Sequence, residues 1–345
     1  MTDPRTGALL LNLGTPDSPS VSDVRRYLRE FLSDPRVIDR PALARWLLLN
    51  LMILPFRPKK SAAAYAKVWT PEGSPLLVHS QALAEAVGEE LGPGWVVSLG
   101  MRYGQPTIAS ALARLQQANV SRVVVLPLFP QYSEAATGSA LAKLAEEMQR
   151  CDYAPPLATI PAFYNAASFT RSVANAAEES LRGFAADFVL FSYHGLPECH
   201  VLASDQSGAH CLASDDCCAS IAEANRGCYR AHCFATTRAV AEILSLEPDR
   251  HATAFQSRLG RTPWIRPFTD HMLVDLAARG IKRLAVICPS FTADCLETLE
   301  EIGIRAADQW RGLCGGQLQL IPAVNARPDW TRAVAQMLRD ARSNP

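Results

Sequence analysis

The chain has 345 residues, 48% of them apolar and 20% charged, and its 34 Lys plus Arg balance its 34 Asp plus Glu. That length suits two domains of roughly 150 residues, and the composition suits a packed globular protein. With no net charge and no basic stripe, the electrostatic footprint of a nucleic-acid binder is missing.

The opening, MTDPRTGALLLNLGTP, has no basic n-region, long apolar h-region or small-residue cleavage site, so a cytoplasmic location is expected. Residues 8–13 read as a buried strand and 21–32 as a helix. The segment 46–60, WLLLNLMILPFRPKK, is different. Its apolar core is too short to span a bilayer. It is either a buried helix or an exposed apolar lip, followed by Arg57, Lys59 and Lys60, that could touch a membrane or a large apolar ligand. Helical spacing continues at 81–91, 108–118 and 140–149, with strands at 95–99 and 122–128 between them. In the second half, 188–193, 252–256, 283–288 and 317–321 read as strands. Strands apolar on both faces, alternating with helices, predict an α/β fold with parallel sheets covered by helices.

The halves echo one another. LLLNLGTP (9–16) and VLFSYHGLP (189–197) each pass from strand to a glycine turn closed by proline. VVVLPLF (123–129) and LAVICPSF (284–291) each end in Pro-x-Phe before a polar loop. Two similar domains are expected, 1–170 and 171–315, with 316–345 packing back as an extension. Ligands in such folds bind at the carboxyl ends of strands, which would gather Gly14, Tyr132, His194, Trp264 and Asp294 around one cleft.

His194, in Ser-Tyr-His-Gly-Leu-Pro, offers an imidazole suited to proton transfer near neutrality, beside a glycine that lets the backbone approach a ligand. A lone histidine after a strand is more often structural. Asp294, Glu297 and Glu301, spaced by three and four, share one face of a helix expected to start near Asp294. They are a solvated face with Asp294 as cap, or hard oxygen ligands and proton acceptors. No phosphate-cradling P-loop, no dinucleotide fingerprint and no G-x-S-x-G elbow is present.

Six of the ten cysteines lie between Cys199 and Cys233, and in a reducing compartment such clustering suggests a metal site. Cys211, Cys217, Cys218 and Cys228 give C-x5-CC-x9-C. Four cysteines suit a [2Fe–2S] cluster or zinc; the lack of a C-x2-C pair counts against a zinc ribbon, and free thiols remain the third alternative. Cys199, His200, His210 and Cys233 are substitute ligands, and Cys151, Cys288, Cys295 and Cys314 read as core thiols.

Long motifs then carry a resemblance. LLLNLGTPDSPSVSDVRRYLREFLSDPRVID, YAKVWTPEGSPL (65–76), MRYGQP (101–106), LPLFPQYSEAATGS (126–139), FSYHGLPE (191–198), FQSRLGRTPWIRPFT (255–269) and ADCLETLEEI (293–302) resemble the bacterial ferrochelatases in order and spacing. The resemblance covers residues 7 to about 325. It implies two Rossmann-like domains clamping a porphyrin, and a lyase that inserts Fe²⁺ into protoporphyrin IX to form protohaem. Coproporphyrin III, a corrinoid precursor, or a non-catalytic tetrapyrrole-binding or iron-sensing role are the alternatives.

By resemblance, His194 is the active-site base or metal contact and Glu297 its partner, with Asp294 and Glu301 continuing an acidic path. Leu13, Arg102, Tyr103, Tyr132 and Trp264 match positions around the macrocycle. Ser74, Lys59 and Lys60 match propionate contacts, and the 46–56 lip matches a membrane-proximal mouth. Family members with an internal cysteine-rich insert hold a [2Fe–2S] cluster in it, which implies that cofactor for the 199–228 insert. Monomer and homodimer are both compatible with the sequence.

Overall fold

The computed structural model describes residues 5–258, 260 and 262–343. Two four-stranded parallel sheets organise it. The first contains β1 (Thr6–Thr15), β2 (Trp95–Gly104), β3 (Arg122–Pro127) and β4 (Leu157–Thr159), in the order β2-β1-β3-β4. The second contains β5 (Phe188–His194), β6 (His251–Gln256), β7 (Arg283–Ile287) and β8 (Gln317–Leu320), in the order β6-β5-β7-β8. Each order is the other shifted by four strands, so the echo between the halves is a repeat of topology. Leu10 pairs with Leu99 and Leu126, and Leu190 with Ala252 and Val286, which puts the apolar runs at the sheet centres. Leu9, Leu10 and Leu11 are fully buried, as strands covered by helices on both faces require.

Contact density divides the chain into two units. Unit 1 comprises Met1–Phe129, Glu134–Ala162 and Asn325–Pro345; unit 2 comprises Pro130–Ser133 and Phe163–Val324. The divides therefore fall at 129/130, 133/134, 162/163 and 324/325, where the sequence reading placed boundaries at 170 and 315. The last helix, Pro328–Ser343, buries Trp330, Val334 and Leu338 and packs on the helix Pro75–Leu91 within unit 1.

Three local outcomes differ from the sequence reading or decide between its alternatives. β4 was not anticipated: three residues, two of them exposed, carry no periodic signal. The helix read as 81–91 starts at Pro75, because Pro at the first helical position after Ser74 is pre-organised for a helix start. The 46–60 segment forms the helix Ala42–Leu47 and a π-helical stretch Leu48–Ile53, with Leu49 and Leu54 buried. Leu43, Trp46, Leu47, Leu51, Met52 and Phe56 stay exposed, Phe56 to 75%, so the segment is an apolar lip and not a core helix. No helix among the described residues is long and apolar enough to cross a membrane.

Candidate active site and thiol site

His194 closes β5, the strand between β6 and β7. In this strand order the carboxyl ends of β5 and β7 form the switch point at which doubly wound folds bind ligands. Its backbone N–H donates to Ser290 Oγ (3.1 Å), just beyond β7, and Tyr229 Oη donates to its carbonyl (2.8 Å). The ring is fixed too: His194 Nδ1 lies 2.6 Å from Gly195 O. A carbonyl only accepts, so Nδ1 carries a proton, and Nε2 is the ring nitrogen that carries the lone pair whenever the ring is neutral. Gly195 fits because its N–H donates to Gln256 O at 2.7 Å. A Cβ at that position would sit 2.8 Å from the same oxygen and 3.3 Å from the Trp264 ring.

The acidic segment differs from expectation. The helix is a π-helix, Glu297–Ala306, and its N-cap is Leu296, without a side-chain cap. Asp294 lies ahead of it, buried, accepting from Thr298 Oγ1 (2.9 Å) and from the Ala323 N–H (3.3 Å). Asp294 therefore ties the β7 loop to the segment after β8 and does not cap the helix. Glu301 accepts from the Ser257 N–H (3.0 Å) and from the Ser257 hydroxyl. Glu297 is half-buried, and its backbone carbonyl accepts from Gln256 Nε2 (2.9 Å). Gln256 in turn accepts from Ser192 Oγ (2.7 Å), so one amide at the end of β6 links the His194 strand to the Glu297 helix. Glu300, which the sequence did not single out, is buried and paired with Arg305 at 2.7 Å.

Tyr132 and Trp264 also belong to unit 2. Trp264 forms an isolated bridge with Pro197, and Ile265 N–H donates to Leu196 O (3.0 Å), so their loop is bound to the turn that follows His194. The Tyr132 N–H donates to His232 Nδ1 (3.2 Å), while His232 Nε2 lies 2.7 Å from Arg226 O and the ring stacks on Tyr164 with centroids 3.8 Å apart. One nitrogen accepts and the other donates, so His232 is the neutral tautomer, and burial pushes its pKa down to about 4.

In unit 1, Leu13 is half-buried at the end of β1, and Lys59 and Lys60 are exposed after the lip. Ser74 is buried, its Oγ accepting from Thr15 Oγ1 (2.7 Å). Arg102 donates to Asp34 Oδ2 (2.7 Å) and Ser139 Oγ (2.7 Å), and its guanidinium lies 4.3 Å from the Tyr103 ring centroid. Tyr103 is fully buried, with its hydroxyl donating to Asp34 Oδ2 (3.0 Å). Burial by itself would raise the Asp34 carboxyl, but hydrogen bonds from Ser139, the Arg36 N–H and Tyr103, with the Arg102 charge, hold it below the usual range. Asp34 and Ser139 were invisible as site residues in the sequence, since a serine and an aspartate far apart along the chain form no motif.

The insert folds around its cysteines. Cys211, Cys217, Cys218 and Cys228 are all buried. The Cys217 and Cys218 sulfurs lie 3.7 Å apart, and Cys228 acts on the ionisation of both Cys211 and Cys218, so the four thiols are close neighbours. Arg230 Nη1 donates to Cys218 Sγ (3.1 Å) and reaches Cys217 Sγ (3.6 Å). Asp205 accepts from the His210 and Cys211 N–H groups, each at 2.7 Å, and Asn225 Nδ2 donates to Cys217 O (3.0 Å). The hydrogen bond with Cys228 and then burial push the Cys218 thiol up, and burial first of all raises Cys211 and Cys217. Among the described residues no three or more His, Cys, Asp or Glu side chains are gathered as a single-ion site. Of the thiols read as core, Cys288 and Cys295 are buried, but Cys151 is exposed and Cys314 half-buried. Cys151 follows the exposed end of the helix Ser139–Arg150, where its position in the sequence pattern does not bring it inward.

A family model described as Ferrochelatase matches residues 5–342. A ferrochelatase of Coxiella burnetii (strain CbuK_Q154) is 52% identical over 335 residues, covering 97% of this chain and 93% of the relative. The ferrochelatases of Bdellovibrio bacteriovorus (strain HD100) and Legionella pneumophila (strain Lens) are each 46% identical, covering 97% of this chain and 99% of theirs. In fold, the chain is similar to SirB from Bacillus subtilis with Fe³⁺, at TM-score 0.54 and 10% identity, over 99% of this chain and 96% of that one. It is likewise similar to the sirohydrochlorin chelatase SirB in complex with cobalt, at TM-score 0.55 and 9% identity, over 99% of this chain and 97% of that one. A match over nearly the whole length, with identity near one half, leaves one conclusion: this chain belongs to the ferrochelatase family of metal chelatases.

Proposed function

We propose that this chain inserts Fe²⁺ into protoporphyrin IX to form protohaem, with His194 taking protons from the ring. The observation that carries this reading is the fixed His194 ring: with Nδ1–H held by Gly195 O, Nε2 is the nitrogen left to take a proton at the switch point. A free porphyrin carries two pyrrole N–H protons. Ferrous ion enters, both protons leave, and the product has no net charge change at the ring and no electron transferred. One basic nitrogen accepts a proton at a time, so a route onward is needed. Glu297, Glu301 and Asp294 provide carboxylates for that route; contacts to Ser257 and Thr298 hold the Glu301 and Asp294 carboxylates, and Gln256 holds the Glu297 backbone.

In the same reading Trp264, Tyr132, Arg102 and Leu13 supply contacts to the macrocycle, and Ser74, Lys59 and Lys60 serve its propionates. Tyr103, being fully buried, acts through Arg102 and not by contact. The exposed lip favours a ring with two propionates over one with four, and it favours a peripheral lipid contact.

The test is anaerobic. The purified chain is given Fe²⁺ with protoporphyrin IX or with coproporphyrin III, and metalloporphyrin absorbance is followed. Protoporphyrin turnover should dominate, and His194→Ala should lower it by about 10²- to 10⁴-fold, the range of a lost general base. Turnover confined to coproporphyrin would replace the substrate, and near-normal turnover by the alanine variant would remove His194 from the chemistry.

We infer that Cys211, Cys217, Cys218 and Cys228 hold a [2Fe–2S] cluster. Four buried neighbouring thiols, with a guanidinium against two of them, fit thiolate ligation, because binding displaces thiol protons that burial otherwise retains. The insertion reaction moves no electrons, so the cluster's contribution is structural or sensory. Cys217→Ser should remove the visible absorbance and iron of the purified protein and lower the yield of folded chain. Exposed Cys199→Ser should leave both unchanged. A colourless wild type with neither iron nor zinc would leave the four thiols free.

A further inference from the structure

We propose that Arg230 couples the thiol site to the loop that carries Trp264, and that through this contact the loading of the site sets the order of the turn at His194. The proposal rests on the reading of the four cysteines as a metal-holding site.

Three consecutive residues at the start of the helix Tyr229–Ile243 each face in a different direction. Cys228 is the N-cap, its Sγ accepting from the Ala231 N–H at 3.5 Å. Tyr229 donates its hydroxyl to His194 O at 2.8 Å. Arg230 spans two structures at once. Its Nη1 donates to Cys218 Sγ (3.1 Å) and Cys217 Sγ (3.6 Å), and its Nε donates to Arg266 O (3.3 Å). The guanidinium carbon lies over the Phe234 ring, 4.7 Å from its centroid.

The loop at the far end of Arg230 is tied to the turn that follows His194. Glu198 N–H donates to Pro263 O (2.9 Å), Ile265 N–H donates to Leu196 O (3.0 Å), and Pro197 bridges Trp264. These bonds join it to residues 196–198, directly after His194 and Gly195. A planar guanidinium with five donors can serve a sulfur and a carbonyl together, which a lysine ammonium on a flexible stem cannot do in the same geometry.

The strength of the first contact depends on the state of the sulfurs. A neutral thiol is a weak acceptor, whereas a metal-bound thiolate makes a charge-assisted bond roughly twice as strong. Loading the site therefore tightens Arg230 against Cys217 and Cys218 and fixes the group that holds Arg266 O. In this arrangement Arg230 is a positioning residue: it touches neither porphyrin nor iron substrate, and it ties the insert to the substrate loop. Hydrogen bonds to the sulfurs also stabilise the more negative, reduced form of a cluster.

The readout is the Ile265 amide, whose hydrogen-exchange rate reports its bond to Leu196 O. The full chain, as purified, is compared with Arg230→Ala, Arg230→Lys and Arg238→Ala. Arg238 is the control, because its Nη1 donates to the Cys218 backbone carbonyl (3.0 Å), a group whose charge does not change when the sulfurs bind metal. Exchange at Ile265 should rise at least tenfold in Arg230→Ala and in Arg230→Lys, and stay within twofold in Arg238→Ala. Stripping the site with a chelator should raise it in the wild type and leave the Arg230 variants unchanged. The cluster's midpoint potential should move negative in Arg230→Ala and less so in Arg230→Lys.

If Arg230→Ala does not fold, Arg230→Lys and Arg230→Gln carry the same comparison. Unchanged Ile265 exchange in the Arg230 variants, or an equal rise in Arg238→Ala, overturns the coupling. Absence of visible absorbance and bound metal in the wild type overturns the cluster reading instead. In that case Ile265 exchange in the variants still tests the contact between thiols and loop.

Discussion

With its Nδ1 proton engaged by the next carbonyl, the His194 imidazole has one nitrogen left for a ligand, and the backbone around it sets where that nitrogen points. Four groups fix this backbone: Ser290, Tyr229, Gln256 and Gly195. Gly195 is the most exacting, since a methyl group would press against the Gln256 carbonyl, which is backbone and cannot turn aside. Gly195→Ala is therefore expected to shift the imidazole without removing it. A displacement of about 1 Å costs on the order of 10²-fold in rate, so turnover should fall by that much while KM for the porphyrin moves little. Steady-state kinetics at saturating Fe²⁺ separates the two parameters, and a loss confined to KM would contradict the positioning role. Asp34 plays a comparable part around Arg102, where a carboxylate held ionised neutralises a guanidinium that has 14% of its side chain exposed.

At the scale of elements, the strands were legible because a parallel strand covered on both faces must be apolar throughout, as Leu9 to Leu11 and Leu190 are. His194 and Glu297 were legible through the resemblance. Their supports were not, since Gln256, Ser290 and Tyr229 meet them only after the chain has folded. The acidic helix was misread for a physical reason: three-and-four spacing describes an α-helix, and nothing in that spacing distinguishes the i→i+5 ladder of Glu297–Ala306. The lip was legible as apolar but not as exposed, since hydrophobicity alone does not state which face is covered. Exposure now allows a test. Replacing Leu43, Trp46, Met52 and Phe56 together with Gln removes side chains that bury little, so stability should change by less than about 1 kcal/mol. Co-sedimentation with vesicles of phosphatidylglycerol and phosphatidylethanolamine should fall at least fivefold if the lip meets lipid. Unchanged sedimentation would assign it to another role.

For the molecule as a whole, the repeated strand order explains how one architecture yields two different ends of a sheet. β1 ends at Gly14 and Thr15, where the chain runs on towards a buried network around Asp34, whereas β5 ends at a histidine. Global stability should then carry the mark of buried groups in unit 2, and His232 is the clearest. Its Nδ1 accepts from the Tyr132 N–H, so a proton there would face another donor, and its ring is almost wholly buried against Tyr164. The folded chain therefore holds this histidine neutral down to about pH 4, while the unfolded chain protonates it near 6.5. Between those values the unfolded state binds more protons, so stability rises with pH across the window; the contribution is complete above 6.5 and is lost as pH falls towards 4. At pH 5 the deficit relative to pH 8 should be about 2 kcal/mol from this residue. His232→Gln keeps an acceptor for Tyr132 and a donor for Arg226 but does not titrate. Urea unfolding followed by pulse hydrogen exchange on the β5 peptide, repeated from pH 4.5 to 8, should show the wild type losing stability on acidification faster than the variant by that amount. Equal slopes would mean that the buried ring is protonated in the folded chain after all, with Tyr132 released from it.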